Sequence, residues 1–195
     1  GLPRTAGHHQ GKENLRRILE ACVEFGVEIL TIYAFSTENW ERPPSEIRAL
    51  MSILNMVLDQ EVRKLHKNGV QVRHIGKMEG VDSRLQAKIL DACEYTKDND
   101  KLILNVAFNY GGRDEIVQAI QQIIRDGIPS DEVTSDVIDS YLYTADLPDP
   151  DLIIRTSGEF RMSNFLLWQG AYSEYYSTPT FWPDFDKDEL LKAIW

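Results

Sequence analysis

Four short apolar runs rich in β-branched residues alternate along the chain with segments of helical periodicity. The runs are residues 27–35, 70–75, 102–108 and 151–155. Strands that alternate with helices pack into a parallel sheet covered by helices on both faces. The pattern therefore predicts an α/β fold with a central, mainly parallel sheet flanked by helices. A chain of this length is about the size of one ordinary domain, so we expect residues 1–195 to form a single domain.

The longest helical pattern begins at Ser45, the expected N-cap, and ends at Gly69. Its apolar residues recur at intervals of three and four, and Ile53 and Met56 widen the apolar stripe. The wider face either packs in the core or lines an apolar cavity or a dimer contact. Further helices are predicted at residues 12–25, 83–96, 113–125 and 135–143, and from Lys187 onward with Asp186 as the cap.

The overall charge limits the classes of partner. The chain has 31 acidic and 21 basic residues and a net charge of -10, which argues against a nucleic-acid surface and leaves any anion to a local arginine cluster. It contains no run of the roughly 18 apolar residues that a membrane span requires and no signal-peptide pattern. We expect a cytoplasmic protein with at most peripheral membrane contact, in which Cys22 and Cys93 are free thiols.

Polar residues follow three of the four predicted strands, where ligands bind in open parallel sheets. Residues 36–43 bring together a hydroxyl, a carboxylate, an amide, an indole and a guanidinium group: Ser36, Thr37, Glu38, Asn39, Trp40 and Arg42. After the third strand comes the segment 109–113, Asn-Tyr-Gly-Gly-Arg, which leads into a helix. The Gly-Gly pair either makes a tight structural turn or offers backbone N–H groups to an anion.

The strongest local signal follows the fourth strand. Arg155 and Arg161 lie in one loop with three hydroxyl residues and Gly158. Because guanidinium groups match phosphate oxygens in bidentate geometry, this loop favours a diphosphate site over two arginines that balance scattered carboxylates. Glu174, in an aromatic setting, is either part of a core ion pair or a Mg²⁺ ligand.

Together these segments resemble the signatures of the cis-prenyltransferase family, of the undecaprenyl diphosphate synthase type. The matching segments are residues 36–43, 109–113, 155–165 and 182–185, in the family's order. Gly7-His8 preceded by Arg4 also resembles the family's segment just after its first motif, which favours a functional His8 over the remnant of a purification tag.

The resemblance implies condensation of isopentenyl diphosphate onto an allylic diphosphate such as farnesyl diphosphate, with each new double bond formed cis. The product would be a long-chain polyprenyl diphosphate, undecaprenyl diphosphate for a cell-wall lipid carrier. The resemblance also implies Mg²⁺ as cofactor, an apolar product tunnel between the sheet and two helices, and a homodimer. Residues 165–182 are apolar and aromatic enough for a dimer interface, or equally for the core.

The family also implies roles for individual residues. Its substrate-binding set maps onto Arg4, His8, Ser36, Thr37, Glu38, Trp40, Arg42, Arg155, Arg161, Met162 and Ser163. Among these, Arg155, Arg161 and Ser163 would hold isopentenyl diphosphate, with Glu174 as the Mg²⁺ ligand. Asn39 is the position that the family assigns to proton handling. Because an amide is too weakly basic to remove a proton unaided, we interpret Asn39 as a positioning group, with released pyrophosphate or a water as the acceptor.

The sequence departs from the family's pattern at both ends. The first motif, a strand leading into Met-Asp-Gly-Asn with a Mg²⁺-binding aspartate, should lie immediately before Gly1, and the Arg-rich tail should follow Trp195. We expect both to exist in the full product. The alternative is a catalytically silent subunit or a polyprenyl diphosphate binding protein. The helix that ends at Gly69 suits one wall of the expected tunnel, and Leu102 together with Ile53 or Met56 are the candidates for its floor, where side-chain size would set product length.

Overall fold

The computed structural model describes the backbone of residues 4–195 and the side chains of residue 11 and residues 13–195. Three parallel strands form one sheet in the order β1-β3-β2, namely β1 (Ile29–Ser36), β2 (Val70–Ile75) and β3 (Leu102–Tyr110). Two further strands, β4 (Leu152–Arg155) and β5 (Glu174–Ser177), form a separate parallel pair. The predicted parallel α/β fold is confirmed, although its strands form two sheets.

Within residues 4–195, six helices cover the strands. They are α1 (Arg4–Phe25), α2 (Pro44–Lys67), α3 (Ser83–Thr96), α4 (Gly112–Arg125), α5 (Ser135–Tyr141) and α6 (Lys187–Ile194). Short 3-10 turns lie at Thr37–Glu41, Gln169–Tyr172 and Trp182–Asp184. The predictions for α3 and for the start and cap of α6 are confirmed, since Asp186 accepts a hydrogen bond from the backbone N–H of Glu189.

Several predicted boundaries are wrong by a few residues. Helix α1 begins at Arg4 instead of residue 12, and α5 ends at Tyr141. Helix α2 begins at Pro44, with Pro43 in the cap position and no side-chain cap, so Ser45 is not the N-cap. The reason is that the fixed φ of proline suits the first helical position, where its missing N–H costs nothing.

One face of the three-stranded sheet is covered by α1 and α2. Because alternate residues of a strand share a face, Leu102, Leu104, Val106 and Phe108 of β3 form one apolar row. Helix α1 packs on the end of the row that contains Leu102 and Leu104, and α2 with α3 packs around Phe108. An ion pair of 2.8 Å between Arg16 and Glu61 links the two helices over the sheet.

The opposite face holds an aromatic cluster. Tyr33 stacks on Phe165 with 4.7 Å between ring centroids, and Tyr110 is fully buried beside Leu166. The first part of the predicted interface stretch 165–182 is therefore core. Its later part differs, since Tyr172 is 97% exposed.

A cavity of about 1340 Å³ separates the two sheets. It is lined by β1 on one side, by β4 on the other, and by Leu15 and Ile18 of α1. Two buried amide oxygens on its wall, Asn105 Oδ1 and Gln169 Oε1, have no hydrogen-bond partner among the described residues. An unpaired buried acceptor is costly to the folded state.

Two expectations from composition can be compared with the structure. Within residues 4–195, no helix combines the length and the apolar character needed to cross a bilayer. Cys22 is buried, Cys93 is half-buried, and both are free thiols, as predicted.

Candidate active site

The turn that follows β1 is fixed by the ends of the neighbouring strands. Trp40 donates its indole N–H to Asn109 Oδ1 at 2.7 Å. Asn109, in the left-handed region with a φ of 54°, donates from its side chain to the backbone oxygens of Lys77 at 2.9 Å and Glu79 at 3.1 Å. The loops that follow β1, β2 and β3 therefore meet at one edge of the sheet, as the parallel arrangement predicts.

Asn164 joins the loop that follows β4 to the same edge. Its Nδ2 donates to Glu38 Oε1 at 2.7 Å, and its Oδ1 accepts from the backbone N–H of Arg113 at 2.9 Å. Its backbone oxygen accepts from the N–H of Gly112 at 2.7 Å. These N–H groups at the start of α4 thus bind Asn164. Two of the N–H groups that an anion would use are therefore occupied by Asn164, which favours a structural role for the Gly-Gly pair.

The two glycines allow this close approach. A Cβ atom on Gly111 would lie 2.6 Å from Thr37 Oγ1 and 2.8 Å from Asn164 Nδ2. A Cβ atom on Gly112 would lie 2.9 Å from the side chain of Leu167. Any larger residue would push the surrounding loops apart, so both glycines are required by space.

Glu38 is held as a carboxylate. Burial favours its neutral form, but hydrogen bonds from its own backbone and from the side chains of Asn164 and Ser36 outweigh burial and lower its pKa. Beside it, Asn39 Oδ1 accepts the backbone N–H of Ser36 at 3.2 Å. The amide of Asn39 is therefore oriented by its own turn.

Arg155 and Arg161 both border the cavity between the sheets. Arg155 ends β4 and is half-buried, whereas Arg161 is exposed and pairs with Glu159 at 2.5 Å. Met162 also lines the cavity, and Ser163 beside it is exposed. Two guanidinium groups at one end of a mostly apolar space fit an amphipathic anion. The third predicted arginine, Arg42, instead pairs with Glu46 in the first turn of α2 at 2.7 Å.

Backbone strain is concentrated in these loops. Among the described residues, the non-glycine positions with positive φ are Asn109, Ser157, Ser163, Asn164 and Leu166. Asn109 lies near the end of β3, and the other four follow β4. Residues held in this region cost about 1 to 3 kcal/mol each and cluster at functional sites, where the surrounding structure holds them in place.

Glu174 lies at the other end of its strand pair. It pairs with Leu152, whereas Arg155 pairs with Ser177, so about 10 Å of strand separates the levels of Glu174 and Arg155. The described residues contain no cluster of three or more histidine, cysteine, aspartate or glutamate side chains that would hold a metal ion. The side chains of Arg4 and His8, in the first turns of α1, lie outside the described residues.

A buried carboxylate behind the site was not predicted. Glu115 is 1% exposed and accepts hydrogen bonds from the hydroxyl of Tyr110 at 2.5 Å, the backbone N–H of Tyr143 at 2.9 Å and the side chain of Gln169. Burial raises its pKa, and these bonds only partly offset the rise. In sequence, Glu115 is indistinguishable from the acidic residues that often begin helices.

The segment 182–185 holds α1 in place. Asn14 is fully buried and donates to the backbone oxygens of Trp182 at 2.5 Å and Phe185 at 2.8 Å. The indole N–H of Trp182 donates to the backbone oxygen of Gly11 at 3.2 Å. This segment thus supports the helix that carries His8.

The fold and the convergence of these loops define the class of protein: an α/β enzyme with its site at the carboxyl edge of a parallel sheet. The family model described as "putative undecaprenyl diphosphate synthase" matches residues 1–195. The chain belongs to this family of prenyltransferases.

Individual relatives agree with the family match. The chain is 50% identical to an isoprenyl transferase of Heliobacterium mobile, across all of this chain and 76% of that protein. It is 46% identical to a farnesyl-diphosphate-specific ditrans,polycis-undecaprenyl-diphosphate synthase of Aliivibrio fischeri, across all of this chain and 77% of that protein.

Two solved structures share the fold. A probable undecaprenyl diphosphate synthase from Campylobacter jejuni superimposes with a TM-score of 0.87 at 36% identity, covering 95% of this chain and 87% of that one. Lavandulyl diphosphate synthase from Lavandula x intermedia, in complex with dimethylallyl diphosphate, superimposes with a TM-score of 0.94 at 32% identity. That match covers 100% of this chain and 86% of the other.

Proposed function

We propose that this protein condenses isopentenyl diphosphate with an allylic diphosphate, farnesyl diphosphate being the expected primer, and makes undecaprenyl diphosphate in the cytoplasm. The single observation that carries the proposal is the bond between Asn164 and Glu38. It joins the loop that bears Arg161 and Ser163 to the turn that bears Asn39. Family membership supplies the reaction, and this contact brings the two proposed halves of the site together.

The chemistry requires charge stabilisation and exclusion of water. The bond between C1 of the allylic group and its diphosphate breaks, and the electron pair leaves with the diphosphate. C4 of isopentenyl diphosphate bonds to C1, and loss of a proton from C2 forms the new double bond. Fixed positive charge near the leaving diphosphate stabilises this transition state most where water is absent.

The residues divide into two groups in this proposal. Arg155, Arg161 and Ser163 hold isopentenyl diphosphate, and Arg161 exchanges its Glu159 partner for phosphate oxygens. The turn at Thr37–Glu41 covers the reacting carbons, where Asn39 orients the substrate and released pyrophosphate or a water takes the proton. Arg4 and His8 assist at the allylic diphosphate. Met162 borders the apolar part of the substrate.

We propose Mg²⁺ as the cofactor because diphosphate oxygens with one or two carboxylates are its usual ligands. When bound, it would neutralise charge on a diphosphate. Glu174 is the candidate protein ligand.

The cavity between β1 and β4 supports a proposal about domain organisation. The two parallel edges face each other across a space lined by both strands. We propose that the family's first motif adds a parallel strand there and unites the sheets into one domain. In this proposal the growing chain occupies an apolar tunnel between the sheet and two helices, and Leu102, Ile53 or Met56 forms the floor that limits product length.

A homodimer is the proposed assembly. Helix α4 exposes Val117, Ile120 and Ile124 on one side, and the later part of residues 165–182 exposes Tyr172 and Phe181. Apolar surfaces of this kind suit an isologous interface. Analytical ultracentrifugation of wild type and of Ile124→Glu and Tyr172→Glu measures which surface is used. A monomeric wild type would overturn the proposed homodimer.

The decisive experiment uses the full-length protein with farnesyl diphosphate, labelled isopentenyl diphosphate and Mg²⁺, and separates the extracted lipid by chain length. We expect a metal-dependent product of undecaprenyl length and none after chelation. Saturable binding of isopentenyl diphosphate without any product would instead indicate a silent subunit. For the role of Asn39, near-normal turnover of Asn39→Ala with intact substrate binding would overturn the assignment.

A further inference from the structure

Asp114, in the first turn of α4, contacts two other strand-end loops at once. Its Oδ2 accepts a hydrogen bond from the hydroxyl of Thr37 at 3.0 Å, and its Oδ1 binds the ammonium group of Lys77 at 2.6 Å. Thr37 belongs to the turn after β1 and Lys77 to the loop after β2, while Asp114 itself follows β3. One carboxylate therefore connects three separate loops.

Two glycines near Asp114 let the loops approach closely enough for these contacts. Gly111 leaves room for the Thr37 hydroxyl, which lies 2.6 Å from where a Cβ atom would be. Gly76 has a φ of 129°, and a Cβ atom there would lie 2.2 Å from the backbone oxygen of Phe108. Lys77 is thereby held against β3, where its N–H donates to the backbone oxygen of Asn109 at 3.0 Å.

The carboxylate of Asp114 is stably charged. The hydrogen bond from Lys77 lowers its pKa, burial opposes this, and the bond from Thr37 adds to the lowering. The side chains of Lys77 and Asp114 are 34% and 38% exposed, so the pair is partly screened. An exposed ion pair alone contributes little to the free energy of unfolding. The Asp114 carboxylate, however, also binds the hydroxyl of Thr37, which lies two residues before Asn39.

We propose that Asp114 is a positioning residue for the prenyl transfer reaction, acting through Thr37 to hold the turn Thr37–Glu41 over the reacting carbons. The proposal rests on the function proposed above. Asp114 contacts no substrate group in this assignment. Its effect should fall on turnover rather than on binding of isopentenyl diphosphate, because Arg155 and Arg161 lie on a different loop.

The test compares Asp114→Ala and Asp114→Asn with a matched control, Asp59→Ala. Asp59 pairs with Lys88 at 2.8 Å between α2 and α3 and is also an exposed aspartate–lysine pair. Two readouts are needed on the full-length protein: hydrogen exchange at the amides of residues 37–42, and kcat and KM for isopentenyl diphosphate.

For Asp114→Ala we expect faster exchange at residues 37–42 and a kcat lower by about tenfold, with little change in KM, because small displacements of positioning groups cost this much or more. For Asp114→Asn we expect an exchange rate and a kcat between those of wild type and of Asp114→Ala. The amide oxygen still accepts the hydrogen bond from Thr37, but the neutral side chain no longer attracts the ammonium group of Lys77. Asp59→Ala should match wild type in both readouts.

Unchanged exchange at residues 37–42 in Asp114→Ala would overturn the proposal. A raised KM with normal kcat would also overturn it, because Asp114 would then act on substrate binding. If wild type makes no product, the proposed function fails, while the exchange data still decide whether Asp114 holds the turn.

Discussion

Asn164 donates a 2.7 Å hydrogen bond to the carboxylate of Glu38, although the two residues are 126 positions apart in the chain. The same side chain accepts from the backbone N–H of Arg113. Asn164 therefore sets the relative position of three loops that each follow a different strand. The backbone of Asn164 is in the left-handed region, with a φ of 62°. Asparagine tolerates this conformation better than most residues.

Replacing Asn164 by glycine should separate its side-chain bonds from its backbone conformation. Glycine keeps the positive φ without strain but removes both side-chain contacts. We expect kcat to fall about 100-fold with a small change in melting temperature, because the two halves of the site lose their register. Asn164→Ala should be less stable than Asn164→Gly by about 1 kcal/mol, since alanine is strained at this φ. Steady-state kinetics and thermal denaturation measure both effects, and near-normal kcat in Asn164→Gly would contradict the role.

A methyl group on Gly111 should disturb the site by steric crowding alone. Its φ of -156° is extended backbone that any residue adopts, but a Cβ atom would lie 2.6 Å from Thr37 Oγ1. We expect Gly111→Ala to lower the free energy of unfolding by about 1 to 3 kcal/mol, as overpacking does. Urea denaturation measures this loss.

Gly11→Ala is the matched control for Gly111→Ala. Its Cβ atom would lie 3.4 Å from the Trp182 ring, which is ordinary contact, within a helix that alanine favours over glycine. We expect this variant to be as stable as wild type or more so. Equal losses in the two variants would show that crowding at Gly111 is not the cause.

The sequence predicted β1 to β4 and most helices because apolar residues recur with the period of each element where one face is buried. It placed residues 36–43, 109–113 and 155–164 at one edge because parallel strands put their following loops together. It did not predict which side chains of these loops form hydrogen bonds with one another. Whether the Gly-Gly pair binds an anion or packs against a loop depends on Asn164, and no local pattern reveals a contact made 50 residues away.

The missed elements have a similar cause. Strand β5 is four residues long and has mostly exposed side chains, so it lacks the alternation that identifies a strand. Asp114 and Glu115 are adjacent acidic residues in the first turn of one helix, yet Asp114 is half-exposed and Glu115 is buried. Their different partners come from separate loops, which makes their roles a property of the tertiary structure.

Arginine-to-lysine substitutions should test the diphosphate site. Arg155→Lys and Arg161→Lys keep the positive charge but lose the bidentate geometry that suits phosphate oxygens. We expect each to weaken binding of isopentenyl diphosphate by about tenfold, on the scale of one charged hydrogen bond. Isothermal titration calorimetry measures the affinity. Arg84→Lys, at an exposed position on α3, is the control and should bind as wild type does.

The effect of Glu115 on the pH dependence of stability should be opposite in sign to the effects of Glu38 and Asp114. Burial raises its pKa in the folded state, so the folded protein holds this proton more tightly than the unfolded chain does. Between the ordinary glutamate pKa of about 4.3 and the raised value, stability must therefore fall as pH rises. Glu38 and Asp114 have lowered pKa values and contribute stability that is lost as pH falls.

The variant Glu115→Gln isolates this contribution. Glutamine is neutral at every pH and still accepts a hydrogen bond from Tyr110 or from the backbone of Tyr143. Unfolding by urea should be measured for wild type and variant from about pH 4.5 to pH 8, above the ordinary glutamate pKa. We expect the stability of Glu115→Gln relative to wild type to increase as pH rises through the raised pKa and then to level off. A difference independent of pH would mean that Glu115 is ionised with an ordinary pKa, and that its three hydrogen bonds fully compensate for its burial.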